Sequence, residues 1–186
     1  MYQYIRMMGT AFILAMAAIT MMAPSQAVAE SAAHLQTEAA AALSKLYADS
    51  PQARMLGEKA AAVLVFPNIV KAGFMVGAQY GEGVLLKKGR TVGYYSSVAG
   101  SYGLQAGVQG FAYTLFLMSD SAVKYLDKSD GWEIGVGPSI VVVDEGVART
   151  LTSTTLKDDV YAFIFDQKGL MAGLGIQGSK ITRIEK

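Results

Sequence analysis

The sequence predicts an α+β fold in which a curved, largely antiparallel, Gly-rich sheet, similar to a barrel or half-barrel, packs against N-terminal helices. Two Ala-rich amphipathic segments come first, and most later apolar segments have strand character and are separated by short turns. Sequential turns without long helical crossovers favour antiparallel pairing. Glycines recur inside the apolar segments, where they are typical of bends in a curved sheet.

The first 29 residues are typical of an export signal. Arg6 gives a short positive region, Met7 to Met22 is almost wholly apolar, and Ala27-Val28-Ala29 has the small-x-small pattern that signal peptidase recognises. The apolar run of roughly 16 residues is shorter than the ~20 that a membrane-spanning helix needs. We therefore expect residues 1–29 to be a signal peptide that is cleaved after Ala29.

The expected mature chain, residues 30–186, has a length typical of a single domain. Removal of Arg6 leaves 15 of the 16 basic residues against 15 acidic ones, and this balance does not favour nucleic acid as a partner. The sequence contains no cysteine, which excludes a Cys-linked lipid anchor and disulfides. We expect a periplasmic or secreted protein, whose oligomeric state the sequence leaves open.

Two helices are predicted at the start of this domain. The first covers residues 31–48, with Ser31 as its N-cap and apolar residues at intervals of three and four. The second begins with Ser50 as N-cap and Pro51 in the first helical position, and it is expected to reach about Ala62.

The rest of the chain is predicted to be mainly strands. Val63 to Phe66 is a continuous apolar run of the kind found in buried strands. Phe74 to Leu86 and Thr91 to Ser97 form a hairpin around the basic turn Lys87-Lys88-Gly89-Arg90. Further segments with strand character are Tyr102–Met118, Trp132–Val143, Val147–Thr155, Val160–Phe165, Leu170–Ile176 and Lys180–Ile184, and a short helix is expected after Ser119.

One glycine pattern occurs three times within these segments. Glycine is followed by a large apolar residue, two more residues and a second glycine, and residues four apart lie on the same face of a strand. A bare position of this kind allows close approach by a neighbouring backbone, a bulky side chain or a ligand. The glycines predicted to have this structural or pocket-forming role are Gly73, Gly77, Gly81, Gly83, Gly103, Gly107, Gly169 and Gly173.

The basic turn is the candidate binding site. Lys87, Lys88 and Arg90, with Lys71 as a further candidate, could contact lipid phosphate groups, at about 1 kcal/mol for each charge near an anionic surface. The alternative is an ordinary charged hairpin end.

Catalytic and cofactor chemistry find little support in the sequence. Gly173 to Gly178 matches GxGxxG, but no helix-forming segment follows to meet a pyrophosphate. His34 is the single histidine and lies at the start of the first predicted helix. The acidic pairs Asp144-Glu145 and Asp158-Asp159 lack the alternating spacing of a calcium loop. We expect no catalytic residues, no cofactor and no metal.

The chain from Leu43 to Ile184 resembles the SYLF domain family. The residues that carry the resemblance are Ala62-Val63-Leu64-Val65-Phe66-Pro67, Lys71-Ala72-Gly73-Phe74, Tyr80-Gly81-Glu82-Gly83, Ser101 to Gly107, and Lys168-Gly169-Leu170-Met171-Ala172-Gly173. Members of this family are known for binding lipids and phosphoinositides and, in fungi, actin.

The resemblance implies a non-enzymatic module of the bacterial cell envelope that binds a lipid, a phospholipid or a membrane surface. An acyl chain would then lie in or against the sheet beneath the Ala-rich helices. The alternative is a structural or protein-interaction module of the periplasm, with an envelope protein as partner and no lipid ligand. The identity of the lipid stays open.

Overall fold

The computed structural model describes residues 31–128, 131–152, 154–169, 176 and 178–186. The predicted signal peptide, residues 1–29, and most of the predicted strand Leu170–Ile176 lie outside them. The helices are α1 (Ala32–Asp49), α2 (Pro51–Lys59), α3 (Asp120–Leu126) and α4 (Glu145–Thr150). The strands are β1 (Ala62–Lys87), β2 (Arg90–Leu117), β3 (Trp132–Glu133), β4 (Ile140–Val142), β5 (Val160–Gly169) and β6 (Lys180–Ile184). In this part of the chain, no helix has the length and apolar character that crossing a membrane requires.

Serine caps begin the first three helices, as predicted. The hydroxyls of Ser31, Ser50 and Ser119 each accept a hydrogen bond from the backbone N–H three residues later, at 3.1–3.2 Å. Pro51 follows its cap directly, where a missing N–H costs no helical hydrogen bond. Helix α2 ends at Lys59, before the predicted end near Ala62, because Ala62 already pairs with β2.

Strands β1 and β2 form one long antiparallel ribbon, where the sequence predicted several shorter strands. Pro67 does not end β1, because it lies at a bulge between Phe66 and Ile69, where proline interrupts no ladder bond. The predicted hairpin is confirmed, but its loop is shorter than the predicted four-residue turn, because Lys87 pairs with Arg90 and leaves a two-residue loop. Both loop residues have positive φ, 51° at Lys88 and 74° at Gly89, as a type I′ turn requires.

Strand β2 is the centre of a strongly curved half-barrel sheet, which confirms the predicted fold class. Along one edge it pairs with β1, and along the other it pairs first with β6, over Tyr94–Val98, and then with β5, over Gln109–Leu117. Strand β3 extends the sheet beyond β6, and β4 pairs with β5 in the single parallel pairing of the described residues. The sheet is therefore largely antiparallel, with different partners for the two halves of β2.

The glycines of β1 let the strand fold back on itself. A Cβ added at Gly73 would lie 2.9 Å from the backbone nitrogen of Gly77, although residues four apart in a straight strand are separated by roughly 13 Å. Beyond this reversal, a Cβ at Gly83 would lie 2.6 Å from the ring of Phe66 and 2.7 Å from the carbonyl oxygen of Val65. What approaches these glycines is therefore the first half of the same strand.

The fold-back divides the sheet into an inner and an outer face, each with its own core. Leu64 and Phe66 point to the inner core, while Val63 and Val65 point to the outer core beneath α1 and α2. The continuous run is thus buried on both faces, as predicted. The inner core includes Phe66, Tyr95, Phe111, Tyr113, Leu115, Trp132 and Ile181, and the outer core includes Leu35, Leu46, Leu56, Val84, Phe116, Tyr161 and Phe163.

The strand predicted over Val147–Thr155 is wrong, because residues 145–150 form α4 and residues 151–152 and 154–155 are not in a strand. The Asp144 carboxylate accepts a hydrogen bond from the Val147 N–H at 2.8 Å and caps the helix. The Thr150 hydroxyl donates back to the Val147 carbonyl at 2.8 Å. Local side-chain hydrogen bonds therefore outweigh the strand propensity of valine and threonine.

The extended segment predicted over Trp132–Val143 is also interrupted. Only β3 and β4, at its two ends, are strands. Gly135 and Gly137 between them have φ of 104° and 96°, a conformation that glycine adopts without the steric cost of a side chain.

Candidate functional site

A cavity of about 400 Å³ lies between the two N-terminal helices and the ends of β1. Because β1 folds back, residues from its beginning and from its end line the same cavity. Its volume falls within the range of roughly 300–1,000 Å³ that is usual for small-molecule sites. The lining residues are Leu43, Tyr47, Arg54, Gly57, Glu58, Ala60, Ala62, Val63, Leu86, Lys88 and Gly89.

The walls of this cavity are mainly apolar and continue the outer core. Leu43 and Ala60 come from the helical layer, while Val63 and Leu86 come from the two ends of β1. All four also belong to, or pack against, the outer core cluster. The cavity can therefore accept an apolar group without exposing the core to water.

Tyr47 forms one wall, and a glycine on the next helix makes room for it. A Cβ added at Gly57 would lie 2.7 Å from the ring carbon Cζ of Tyr47. On its other side, the tyrosine ring stacks on Phe116 with a centroid distance of 6.3 Å. Burial raises the pKa of the Tyr47 phenol, and the positive charge of Arg54 opposes this shift.

Two cations and one carboxylate line the cavity together with these walls. The Arg54 guanidinium donates a hydrogen bond to the Tyr47 carbonyl at 3.1 Å and lies 6.0 Å from the centre of its ring. Lys88 is exposed in the type I′ turn, and Glu58 supplies the negative charge. An apolar cavity lined by two cations can hold an amphiphile whose head carries a phosphate.

The four residues predicted to contact a lipid headgroup do not all lie at one site. Lys88 lines the cavity and also a neighbouring depression of about 390 Å³, which Lys87 and Arg90 share. Lys87 forms an ion pair with Asp120 at 3.2 Å. Lys71 is not brought to the turn: it pairs with Gln109 on the inner face and is only 7% exposed.

The predicted glycines do not line the cavity. Gly73, Gly77, Gly81 and Gly83 lie along the fold of β1, and Gly107 faces Gly73 in β2 with φ of 143°. Gly103 lies within β2 and Gly169 at the end of β5, while Gly173 is outside the described residues.

Of the residues that line the cavity, only Lys88 was predicted from the sequence as a binding residue, and Tyr47, Arg54 and Gly57 are among those missed. A signal for one of them was present, since a glycine inside a helix costs about 1 kcal/mol relative to alanine and needs a packing reason. That reason is the Tyr47 ring, ten positions earlier in the chain.

The geometry defines a small α+β protein with an apolar cavity beside a basic hairpin turn. Residues 98–186 match the model of the family described as Ysc84, Las17-binding protein actin regulator. This match, over residues 98–186, confirms the predicted resemblance to the SYLF domain family. No curated protein matches the chain.

Proposed function

We propose that the protein is a non-enzymatic lipid-binding module of the bacterial cell envelope. The observation that carries the proposal is the cavity of about 400 Å³, whose apolar walls meet Arg54 and Lys88. In this arrangement, the acyl chain of a phospholipid lies between the helices and the sheet, and its phosphate faces the two cations.

The energetics favour a ligand with both an apolar and an anionic part. Each methylene group that leaves water contributes about 0.8 kcal/mol, so several buried methylenes provide most of the affinity. A cation near the phosphate adds about 1 kcal/mol. The negative charge of Glu58 weakens the binding of a free anion at this site. The apolar walls stabilise only a ligand that has an apolar part, so the cavity favours a lipid over inorganic phosphate.

The envelope location rests on the sequence of residues 1–29, which has the charged start, apolar run and cleavage pattern of an export signal. An exported module meets phospholipid at membrane surfaces. Its set of residues, with one histidine and no cysteine, supports a binding role over a catalytic one.

Native mass spectrometry of the protein exported by a bacterial host tests the proposal. We expect the mass of residues 30–186 with one phospholipid bound. Replacement of Lys88 by asparagine places Asn-Gly, a favoured type I′ pair, in the turn, so it removes a charge without weakening the hairpin. This variant should bind anionic phospholipid about fivefold more weakly, as expected for the loss of about 1 kcal/mol.

Two further variants make the test specific. Leu43→Trp fills the cavity and should reduce lipid occupancy at least as strongly as Lys88→Asn. Lys157→Gln removes an exposed lysine outside the cavity lining and should leave occupancy unchanged. Wild-type protein without bound lipid, or equal lipid occupancy in all variants, would contradict the proposal.

A protein-interaction module is the second candidate. The matched family is described as a Las17-binding protein and actin regulator, which names protein partners for relatives of this chain. Recovery of one envelope protein by crosslinking in the native host, together with lipid-free protein in the mass spectrometer, would favour this function over lipid binding.

A further inference from the structure

A second depression, of about 370 Å³, lies between helix α1 and the sheet. It is lined by residues of α1, β1, β2 and β5, and it shares no lining residue with the cavity at the hairpin turn. Its volume is also within the range of roughly 300–1,000 Å³ that is usual for small-molecule sites. The depression is therefore a separate candidate site, which the proposed lipid function does not use.

Two β-bulges border this depression. Opposite Ala112 of β2, β1 has two residues, 67–68, where a regular ladder has one. Opposite Phe111, β5 likewise has two residues, 166–167. A bulge leaves a residue unpaired and redirects a side chain, and bulges are frequent beside functional sites. Here the ladder is interrupted on both edges of β2 at neighbouring positions, and both interruptions face the same depression.

The bulge of β5 holds Asp166 in a conformation that residues other than glycine rarely adopt, with φ of 55°. The Asp166 carboxylate accepts a hydrogen bond from the Lys45 ammonium at 2.7 Å, which ties β5 to α1. This bond lowers the pKa of the Asp166 carboxyl, and the positive charge of Lys168 lowers it further. Two cations and one carboxylate thus meet at one end of the depression and leave a net positive charge there.

A negative charge lies further along α1. Glu38 precedes Lys45 by seven residues, so the two share one side of the helix and are about 10 Å apart along its axis. Between them, the helical wall consists of Ala41 and Ala42, whose small side chains leave space. Glu38 contacts the exposed His34 at 3.5 Å, and this contact is an ion pair only when the histidine is protonated.

Lys168 keeps its charge available for a ligand. Within the described residues, it forms neither an ion pair nor a hydrogen bond, whereas Lys45 is held by Asp166. The depression therefore presents an unengaged cation at one end and a carboxylate, Glu38, at the other. Its four charges balance, which matches a ligand that carries both signs better than a free anion or cation.

We propose that this depression binds a short peptide through its two free ends. The carboxylate of the peptide faces the ammonium group of Lys168, and its α-ammonium group faces Glu38. An extended chain covers roughly 3.3–3.6 Å per residue, so about three residues span the distance between the two charged ends. The inference goes beyond the proposed lipid function and concerns a different surface.

The floor of the depression suits the middle of such a peptide. Gly110 has no side chain, and a Cβ added there would approach no atom more closely than the Ile69 carbonyl oxygen, at 4.0 Å. The exposed carboxamide of Asn68 can donate and accept hydrogen bonds, as a peptide group requires. The peptide backbone can therefore lie over Gly110 beside Asn68.

Titration of the isotope-labelled exported protein with trialanine, followed by NMR spectroscopy, tests the proposal. We expect saturable shifts of the amide signals around the depression. N-acetyl-trialanine lacks the ammonium group and trialanine amide lacks the carboxylate, so each should bind about fivefold more weakly. A single alanine cannot span the two charged ends and should bind at least as weakly as the capped peptides.

Two charge variants assign the ends of the peptide. Glu38→Gln should weaken trialanine binding about fivefold and N-acetyl-trialanine binding far less, because the acetylated peptide has no ammonium group to lose. Lys168→Gln should weaken trialanine binding to a similar extent and spare trialanine amide. Glu133→Gln and Lys157→Gln remove exposed charges outside the depression and should leave trialanine binding unchanged.

A third variant tests the floor of the depression. Gly110→Val fills the space over which the peptide lies and should abolish saturable binding of trialanine. Its matched control is Gly100→Val, because a Cβ added at Gly100 also meets no atom within 4 Å and this glycine of β2 does not line the depression. The control should bind trialanine like the wild type.

Equal binding of trialanine and its capped forms would overturn the proposal, and so would trialanine binding that survives Gly110→Val. Native mass spectrometry of the same proteins separates this inference from the lipid function. Protein that carries lipid but does not bind trialanine refutes this inference and leaves the proposed function intact. Protein that binds trialanine in this depression but never carries lipid refutes the lipid function and leaves this inference intact.

Discussion

The two ends of the β1–β2 ribbon place the same residue type in opposite environments. Near the hairpin turn, the outer-face residues Val65 and Val84 are completely buried beneath the helical layer. At the opposite end, which we call the bend and where β1 reverses near residues 73–77, Val76 and Val108 on the same face are 56% and 64% exposed. The strand pattern is similar at both ends, so the difference arises from what covers the sheet.

Helices α1 and α2 cover only part of the ribbon because they are short. Helix α1 has 18 residues, which at 1.5 Å per residue extends about 27 Å, and α2 has nine. Together they bury the ribbon near its turn and border the cavity there. The comparison teaches that an apolar strand face becomes core only where a second layer of structure reaches it.

The largest expected effect comes from glycines at the covered end. Gly83→Ala forces a Cβ to within 2.7 Å of the Val65 carbonyl oxygen, a backbone atom that cannot move alone. We expect a loss of about 3 kcal/mol in the free energy of unfolding, at the upper end of overpacking effects. Gly100→Ala, at the bend, has no atom within 4 Å of the new Cβ and should be nearly neutral. Urea denaturation measures both, and equal losses would contradict the fold-back.

A smaller effect is expected from the valines themselves. Val65→Ala removes two methyl groups from the outer core and should cost about 2 kcal/mol through lost burial and a residual cavity. Val108→Ala should change the free energy of unfolding by less than about 0.5 kcal/mol, because its side chain already contacts water. Similar losses in thermal or urea denaturation would show that the bend is covered in solution.

The sequence predicted the local elements well because their causes are local. A serine three residues before a free N–H caps each of three helices, and the basic turn between two strands was predicted as a hairpin end, although its loop has two residues and not the predicted four. The buried run Val63–Phe66 was also recognisable, since continuous apolar strands are covered on both faces.

The fold-back of β1 and the cavity could not be derived in the same way. The glycine spacing indicated that something approaches Gly81 and Gly83, but it did not identify the first half of the same strand. Cavity residues Tyr47 and Arg54 come together with Lys88 only after β1 reverses. Lys71 was grouped with the basic turn from its charge, whereas its position in the register places it on the inner face.

The smallest expected effect concerns how helix α1 is held on the covered sheet. The hydrogen bond from Lys45 lowers the pKa of Asp166 below its ordinary 3.8, so this carboxylate stabilises the fold above that pH and loses its contribution as the pH falls through its folded pKa. Asp166→Asn, which tolerates the positive φ of 55°, should therefore lower stability slightly near neutral pH and not at all in strong acid. Urea denaturation of both proteins from acid to neutral pH measures the difference, with Lys45→Met as the control that should remove the same pH dependence. A difference that persists unchanged in strong acid would show that Asp166 acts through its backbone conformation and that the ion pair does not hold the helix.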